Sequence, residues 1–178
     1  PAARKFVEPH FSMLWNPTIP TVRMQDAGGR ATELRVVAGR VGDLVAPPPP
    51  PSSWASDPAA DVAIWTIKMA PGAHWQLPPT HASSNRTLYF FRGSKLRIGE
   101  RDFTPGHGVE LRGDVATALQ AGPEETELLM LQGRPIGEPV VQHGPFVMNS
   151  REEIQQAYSD YRRTRFGGWP WPSDEPVH

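Results

Sequence analysis

Apolar and polar residues alternate along the middle of the chain in short bursts. Residues 33–38 (ELRVVA) alternate and carry β-branched side chains. Residues 61–69 (DVAIWTIKM) place Val62, Ile64 and Thr66 on one side. Residues 87–91 (TLYFF) form a compact apolar run that stops at Arg92-Gly93, and residues 95–98 (KLRI) stop at Gly99. Residues 108–112 (GVELR) follow Pro105-Gly106, while residues 116–120 and 127–132 (ELLMLQ) flank Gly122-Pro123. A period of two puts successive side chains on opposite faces of a strand. Short strands at near-regular spacing, with Gly and Pro between them, predict an all-β sandwich or barrel. No strand–helix–strand alternation is present, which argues against a parallel α/β fold.

One helix is predicted near the end. Ser150-Arg151-Glu152-Glu153 reads as a capping box, in which the serine oxygen accepts an early backbone N–H and the glutamate reaches back. Ile154, Ala157, Tyr158 and Tyr161 then recur at helical spacing. Arg162, Arg163 and Arg165 lie where the helix dipole favours cations, and Gly167-Gly168 is the expected stop. A solvated helix end explains these arginines, although they could also touch an acidic partner. The closing Trp169-Pro170-Trp171-Pro172 is aromatic and cannot be helical, so it is expected to dock on the barrel or a neighbour.

The flanks differ in character. Residues 1–20 mix Phe6, Phe11, Met13, Leu14, Trp15 and Ile19 with Pro9, Pro17 and Pro20. The prolines oppose a helix and the aromatics oppose disorder, giving an extended arm. Packing on its own domain is the preferred expectation, and packing on a partner domain or second chain the sharper one. Residues 47–51 are an unbroken proline run that favours polyproline II. A stiff surface loop is the simpler reading, and a ligand for a proline-recognising domain the other.

Composition changes this picture only by exclusion. The 178 residues suit one domain with appended arms. A formal net charge of −1 implies no general attraction to nucleic acid. No apolar run approaches the length of a membrane helix. Cysteine is absent, so disulfide and zinc–thiolate frameworks are excluded, and the expected location is cytoplasmic. There is no nucleophile elbow, phosphate loop or dinucleotide fingerprint. Asp57, Asp61 and Asp102 read as isolated carboxylates at turns or strand ends, explained by solvation.

Residues 133–149 (GRPIGEPVVQHGPFVMN) form a long, distinctive string. It resembles the close of the second cupin of the pirin family: G-x-P-x-x-E-P-V, then G-P-F-V-M-N, then a helix and a Gly-rich end. Phe166-Gly167-Gly168 fit that order, and Pro71-Gly72-Ala73 resembles a cupin turn. Pro1-Ala2-Ala3 with Lys5 and Glu8-Pro9 is similar to the segment that leaves the family's first cupin. The proline run and residues 43–60 depart from the family pattern.

The resemblance implies a cupin-type antiparallel β-barrel, a double-stranded β-helix or jelly roll, with one C-terminal α-helix. It implies an arm or linker from an absent N-terminal cupin over residues 1–30, a barrel over 31–145, and a helix with aromatic tail over 146–178. Pirins are bicupins whose metal, iron or another divalent ion, sits in the first barrel. That assigns no cofactor to this chain. It also makes the N-terminal cupin of the same protein, or a second copy, the expected partner, with a regulatory protein as a further one.

Aligning the cupin ligand motif back from Gly93 places Arg86 at the glutamate position, His81 at the second histidine and Pro79 at the first. The second motif, anchored on Gly99 and Pro105, places Glu110 at its histidine. An arginine stays protonated and cannot ligate. His81 and Glu110 are thus the weak metal candidates, with a loop histidine beside Ser83 and Ser84, and a solvent-facing strand glutamate, as the plainer readings. His74 and His107, near turns, are expected to be exposed, whereas His10 and His143 could line a domain interface. Three functions follow. The first is a non-metal half that supports a quercetin dioxygenase-like or regulatory activity of the whole protein, without catalysis of its own. The second is an independent small-molecule dioxygenase with a degenerate site at His81 and Glu110. The third is a protein-interaction module.

Overall fold

A computed structural model of the chain describes residues 1–168, so Trp169 and Trp171 lie outside the described residues. The strands in chain order are β1 (Thr21–Gln25), β2 (Ala31–Ala38), β3 (Arg40–Val41), β4 (Leu44–Val45), β5 (Ala63–Met69), β6 (His74–Leu77), β7 (Asn85–Arg92), β8 (Leu96–Ile98), β9 (Arg101–Phe103), β10 (His107–Leu111), β11 (Thr117–Ala121), β12 (Thr126–Gly133), β13 (Val141–His143) and β14 (Phe146–Met148). One helix, α1 (Arg151–Thr164), follows. Two compact units result: residues 6–136, and residues 1–5 with 137–168.

In the larger unit β1-β2-β5-β12-β7-β10 form a six-stranded sheet and β6-β11-β8-β9 a four-stranded one. All the pairings are antiparallel. The ladders do not join into one closed barrel, but both sheets feed a single core. That core takes Leu34 and Val36 from β2, Trp65, Ile67 and Met69 from β5, Leu88 and Phe90 from β7, and Leu128 and Met130 from β12. The smaller sheet adds Leu77, Leu96, Ile98, Leu119 and Ala121. Each fully buried Leu, Ile, Val, Phe or Met among them stabilises by about 1.5–3 kcal/mol relative to exposure. In β5 the buried set is Ala63, Trp65, Ile67 and Met69, so Val62, Ile64 and Thr66 belong to the opposite face. Register shifts in the β2–β5 and β12–β7 ladders mark bulges, which bend a sheet around its core.

Turn chemistry fixes the ends. Gly39 has φ +76°, and a Cβ there would strike the Val62 carbonyl oxygen, so glycine is required where β2 leaves the sheet. Asp26 organises the β1–β2 turn. Its Oδ1 accepts the backbone N–H of Gly28 at 2.8 Å and of Arg30 at 2.9 Å. Its Oδ2 accepts Arg30 Nε and the His74 backbone N–H, both at 3.0 Å. Led by the Arg30 backbone N–H, these donors hold the Asp26 carboxyl down at about 2.

The arm departs from the preferred expectation. β1 lies inside the stretch read as arm, because Thr21–Gln25 pairs with β2. Upstream of it, Phe11 is 81% and Trp15 65% exposed, so these rings do not pack on their own domain. The proline run is irregular surface chain.

In the smaller unit β13 and β14 pair as a hairpin. Ser150 caps α1 by accepting the Glu153 backbone N–H at 3.2 Å. Glu153 reaches back to the Asn149 N–H at 2.7 Å, one residue before the cap. The helix stop is not glycine. Arg165 (φ +48°) and Phe166 (φ +51°) themselves turn left-handed. Two hydrogen bonds hold this turn: the Arg165 N–H to the Tyr161 carbonyl, and the Phe166 N–H to Thr164 Oγ1 at 3.1 Å. The Phe166 ring packs 5.4 Å from Tyr161 and 6.0 Å from Phe146, contacts that offset the cost of a left-handed aromatic residue.

The Asp26 hub gives a pH test. Asp26→Asn should lower stability at neutral pH, since an amide presents N–H to the donors on Oδ2. A depressed carboxyl stabilises above its ordinary value of 3.8, and that contribution fades as pH falls toward about 2. Urea midpoints of both proteins should therefore converge over that acid window.

Candidate functional site

The chemistry-bearing residues of the larger unit gather where β7 begins and β12 ends. Antiparallel register sets Arg86 of β7 opposite Gln132 of β12 and Leu111 of β10. Alternation along β7 turns Arg86 to the buried side with Leu88 and Phe90. Arg86 is consequently only 2% exposed.

A buried guanidinium must find acceptors. Arg86 Nε and Nη2 donate to Gln132 Oε1 at 2.8 and 2.5 Å, and Nη1 donates to the Pro78 carbonyl at 2.6 Å. Gln132 is oriented in turn, because its Nε2 donates to the Asp61 carbonyl at 3.1 Å and to Thr80 Oγ1 at 3.2 Å. Thr80 Oγ1 donates to Asp61 Oδ2 at 2.7 Å, and Ser84 Oγ donates to the same oxygen. Asp61 reaches these groups from a left-handed backbone, φ 49°, at the end of the 3-10 turn Pro58–Ala60. Asp61 is thus the hub of a polar network rather than a solvated carboxylate, a correction to the sequence reading. Asp57 and Asp102 are also engaged: Asp57 accepts the Ala59 N–H at 2.9 Å, and Asp102 pairs with Lys95 at 2.7 Å and Arg97 at 2.8 Å.

Burial pushes the Arg86 guanidinium below its ordinary value, and the Asp61 charge partly counters this. The group remains a cation at any pH a protein meets.

The metal candidates fall outside this network. His81 sits on an exposed loop, where its Nδ1 accepts the Ser83 N–H at 3.1 Å and lies 2.8 Å from Ser83 Oγ. Glu110 is exposed on β10 opposite Thr87. His74 and His107 are exposed, as expected. Among the described residues no group of three or more His, Cys, Asp or Glu side chains stands where it could hold a metal. A divalent ion beside Arg86 would also meet a fixed positive charge. The donors present therefore do not fit a dioxygenase iron, which needs several imidazoles or carboxylates converging with open positions.

The distinctive string has its own local role in the smaller unit. Glu138 Oε2 accepts the Ala2 N–H at 2.6 Å and Asn149 Nδ2 at 3.1 Å. Asn149 Nδ2 also donates to the Pro139 carbonyl at 2.9 Å, and Asn149 Oδ1 accepts Lys5 Nζ at 2.7 Å. Phe146 stacks edge-on at 4.7 Å against Tyr158. Gly144 (φ +55°) leaves room for the Tyr158 hydroxyl. These motif residues fasten a hairpin to a helix and bring no reactive groups together.

Comparison with known proteins fits this geometry. The family model for the Pirin C-terminal cupin domain matches residues 64–167. The chain is 34% identical over 169 residues to a Pseudomonas aeruginosa protein with a provisional quercetin 2,3-dioxygenase name, covering 93% of this chain and 54% of that relative. It is 32% identical over 167 residues to a pirin-like protein of Caulobacter vibrioides, covering 93% and 55%. Human pirin is 38% identical over 107 residues, covering 57% of this chain and 36% of pirin. The crystal structure of quercetin 2,3-dioxygenase from Acinetobacter baumannii superposes with a TM-score of 0.74 at 22% identity, over 94% of this chain and 54% of that one. At that identity the likeness concerns the fold. The chain spans about half the length of the curated relatives it matches.

Gln132→Leu should strand two guanidinium N–H donors in the interior and lower unfolding stability by about 3 kcal/mol. Chemical denaturation of the two proteins checks this, and a loss within experimental error would remove the network from the account.

Proposed function

This chain belongs to the pirin family, whose C-terminal cupin domain it carries, and from that premise we propose that it is the non-metal half of a pirin-type protein. The observation that carries this reading is Arg86, a buried guanidinium at the position where the family's ligand pattern expects a glutamate. A cation fixed by Gln132 and the Pro78 carbonyl serves the architecture and repels a divalent ion at that position. On this reading iron or another divalent metal belongs to the N-terminal cupin. A quercetin dioxygenase-like or regulatory activity belongs to the whole protein, and this half supports it without catalysing a step.

The partner is the N-terminal cupin of the same protein, or a second copy. The exposed Phe11, Met13, Leu14 and Trp15 support such a contact, since apolar side chains clustered on a short arm are costly to leave in water. A regulatory protein would engage the assembled pair. No helix among the described residues is long and apolar enough to cross a membrane. A cytoplasmic location belongs to the same reading, on the cysteine-free composition. The independent dioxygenase gains nothing from the geometry, because the His81 ring is engaged by Ser83 and Glu110 stands on an exposed edge strand.

Elemental analysis of this chain, purified without chelator beside the whole protein, tests the reading. We expect far less than one equivalent of transition metal in this chain and a full equivalent in the whole protein. A full equivalent in this chain alone would contradict it.

A further inference from the structure

The six-stranded sheet has a second face, opposite the core, and register sets its side chains in cross-strand rows. Tyr89 of β7 stands opposite Leu129 of β12, and Leu129 opposite Thr66 of β5. In the next row Thr87 stands opposite Leu131, and Leu131 opposite Ile64. Side chains paired in this way lie on one face within contact reach. Tyr89 is 41%, Phe91 54% and Leu131 37% exposed, while Leu129 and Ile64 are half-buried. An antiparallel sheet with one solvated face normally presents polar residues there. Here an apolar patch runs unbroken across three neighbouring strands.

The patch has a charged margin. On its other side the row is Glu33, Lys68, Glu127 and Arg92, charges that alternate in sign from strand to strand. Arg92 pairs with Glu127 at 2.8 Å, and Lys68 with Glu125 at 2.9 Å. That margin gives no net pull toward a highly charged partner. An apolar centre beside a polar rim is the anatomy of a protein interface. β5, β12 and β7 are each paired on both sides, so nothing can join the patch as an added strand. Only side chains are on offer, which suits a second apolar sheet packed face to face. The arm reaches the same face: Arg35 stands opposite Thr66, and its Nη1 donates to Asn16 Oδ1, next to the exposed Trp15.

We propose that the N-terminal cupin of the whole protein packs sheet on sheet against this face, with Tyr89, Phe91, Leu129 and Leu131 at the centre of the contact. The assignment rests on the reading that such a cupin is the partner. Two observations favour it over a second copy. The chain spans about half the length of its curated relatives, which therefore carry about as much chain again to cover the patch. A tethered half also meets the face at an effective concentration that a free copy does not match. The arm residues already assigned to that partner lie beside the patch and extend it.

The chain has no cysteine, so one introduced thiol reports on one position. Thr66→Cys and Leu131→Cys place it on the exposed face, and Val115→Cys in the turn before β11 is the control off the face. Labelling by a water-soluble maleimide, located by peptide mass, is compared between this chain and the whole protein. Both face positions should label about tenfold or more slowly in the whole protein, and Val115→Cys equally in the two. Adding Phe91→Asp to the whole protein should return Thr66→Cys to the rate of this chain. Equal labelling of the face in both proteins would overturn the assignment; the metal analysis above would still decide the non-metal reading by itself. Protection already present in this chain and relieved by dilution would give the face to a second copy, and also overturn it.

Discussion

A guanidinium that enters a protein interior cannot shed its charge, so its surroundings must be arranged around it. Arg86 imposes that constraint on one end of the six-stranded sheet. Cross-strand register delivers Gln132 as its acceptor, and the chain before β7 delivers the Pro78 carbonyl. Gln132 can face Arg86 with its oxygen only if its amide nitrogen is held elsewhere, and Asp61 and Thr80 hold it. The left-handed Asp61 and the loop carrying Thr80 and Ser84 thereby share one network with β7 and β12. Such a network is stable only when its members are satisfied together.

The same constraint separates architecture from chemistry in this family member. A cupin needs alternating strands around a filled core, and those are present: Leu88 and Phe90 continue inward along β7 from Arg86. A metal needs imidazoles and carboxylates that converge, and the positions matched to those ligands carry a proline, a loop histidine, an arginine and an exposed glutamate. Both sheets contribute buried side chains to one core, and that core holds them together. The signature string from Gly133 to Asn149 follows the same logic. Glu138, Asn149, Phe146 and Gly144 hold a hairpin and helix in place.

Much of this was legible in the sequence because the period-two alternation of β2, β5, β7, β8, β10, β11 and β12 is strong, as is the capping box at Ser150. β1 was hidden within proline-rich arm sequence. β6 (HWQL) and β9 (RDF) are too short and polar to show a period. β13 and β14 were masked by the glycine and proline of the string that contains them. The helix stop was misplaced because Arg165 and Phe166 adopt a conformation that residue type alone assigns to glycine; tertiary packing of Phe166 decides it. Arg86 could be named from the sequence as a missing ligand. Its role as a buried cation required the register that pairs it with Gln132, and the role of Asp61 required its backbone angle.

The central claim is that Arg86 occupies this end of the sheet as a permanent cation in place of a metal. The most direct measurement is a crystal structure of the chain soaked in manganese, read by anomalous scattering. The account predicts no anomalous peak near Arg86, with the guanidinium resting on Gln132 and the Pro78 carbonyl. A peak there, with Arg86 displaced and His81 and Glu110 drawn in as ligands, would contradict it.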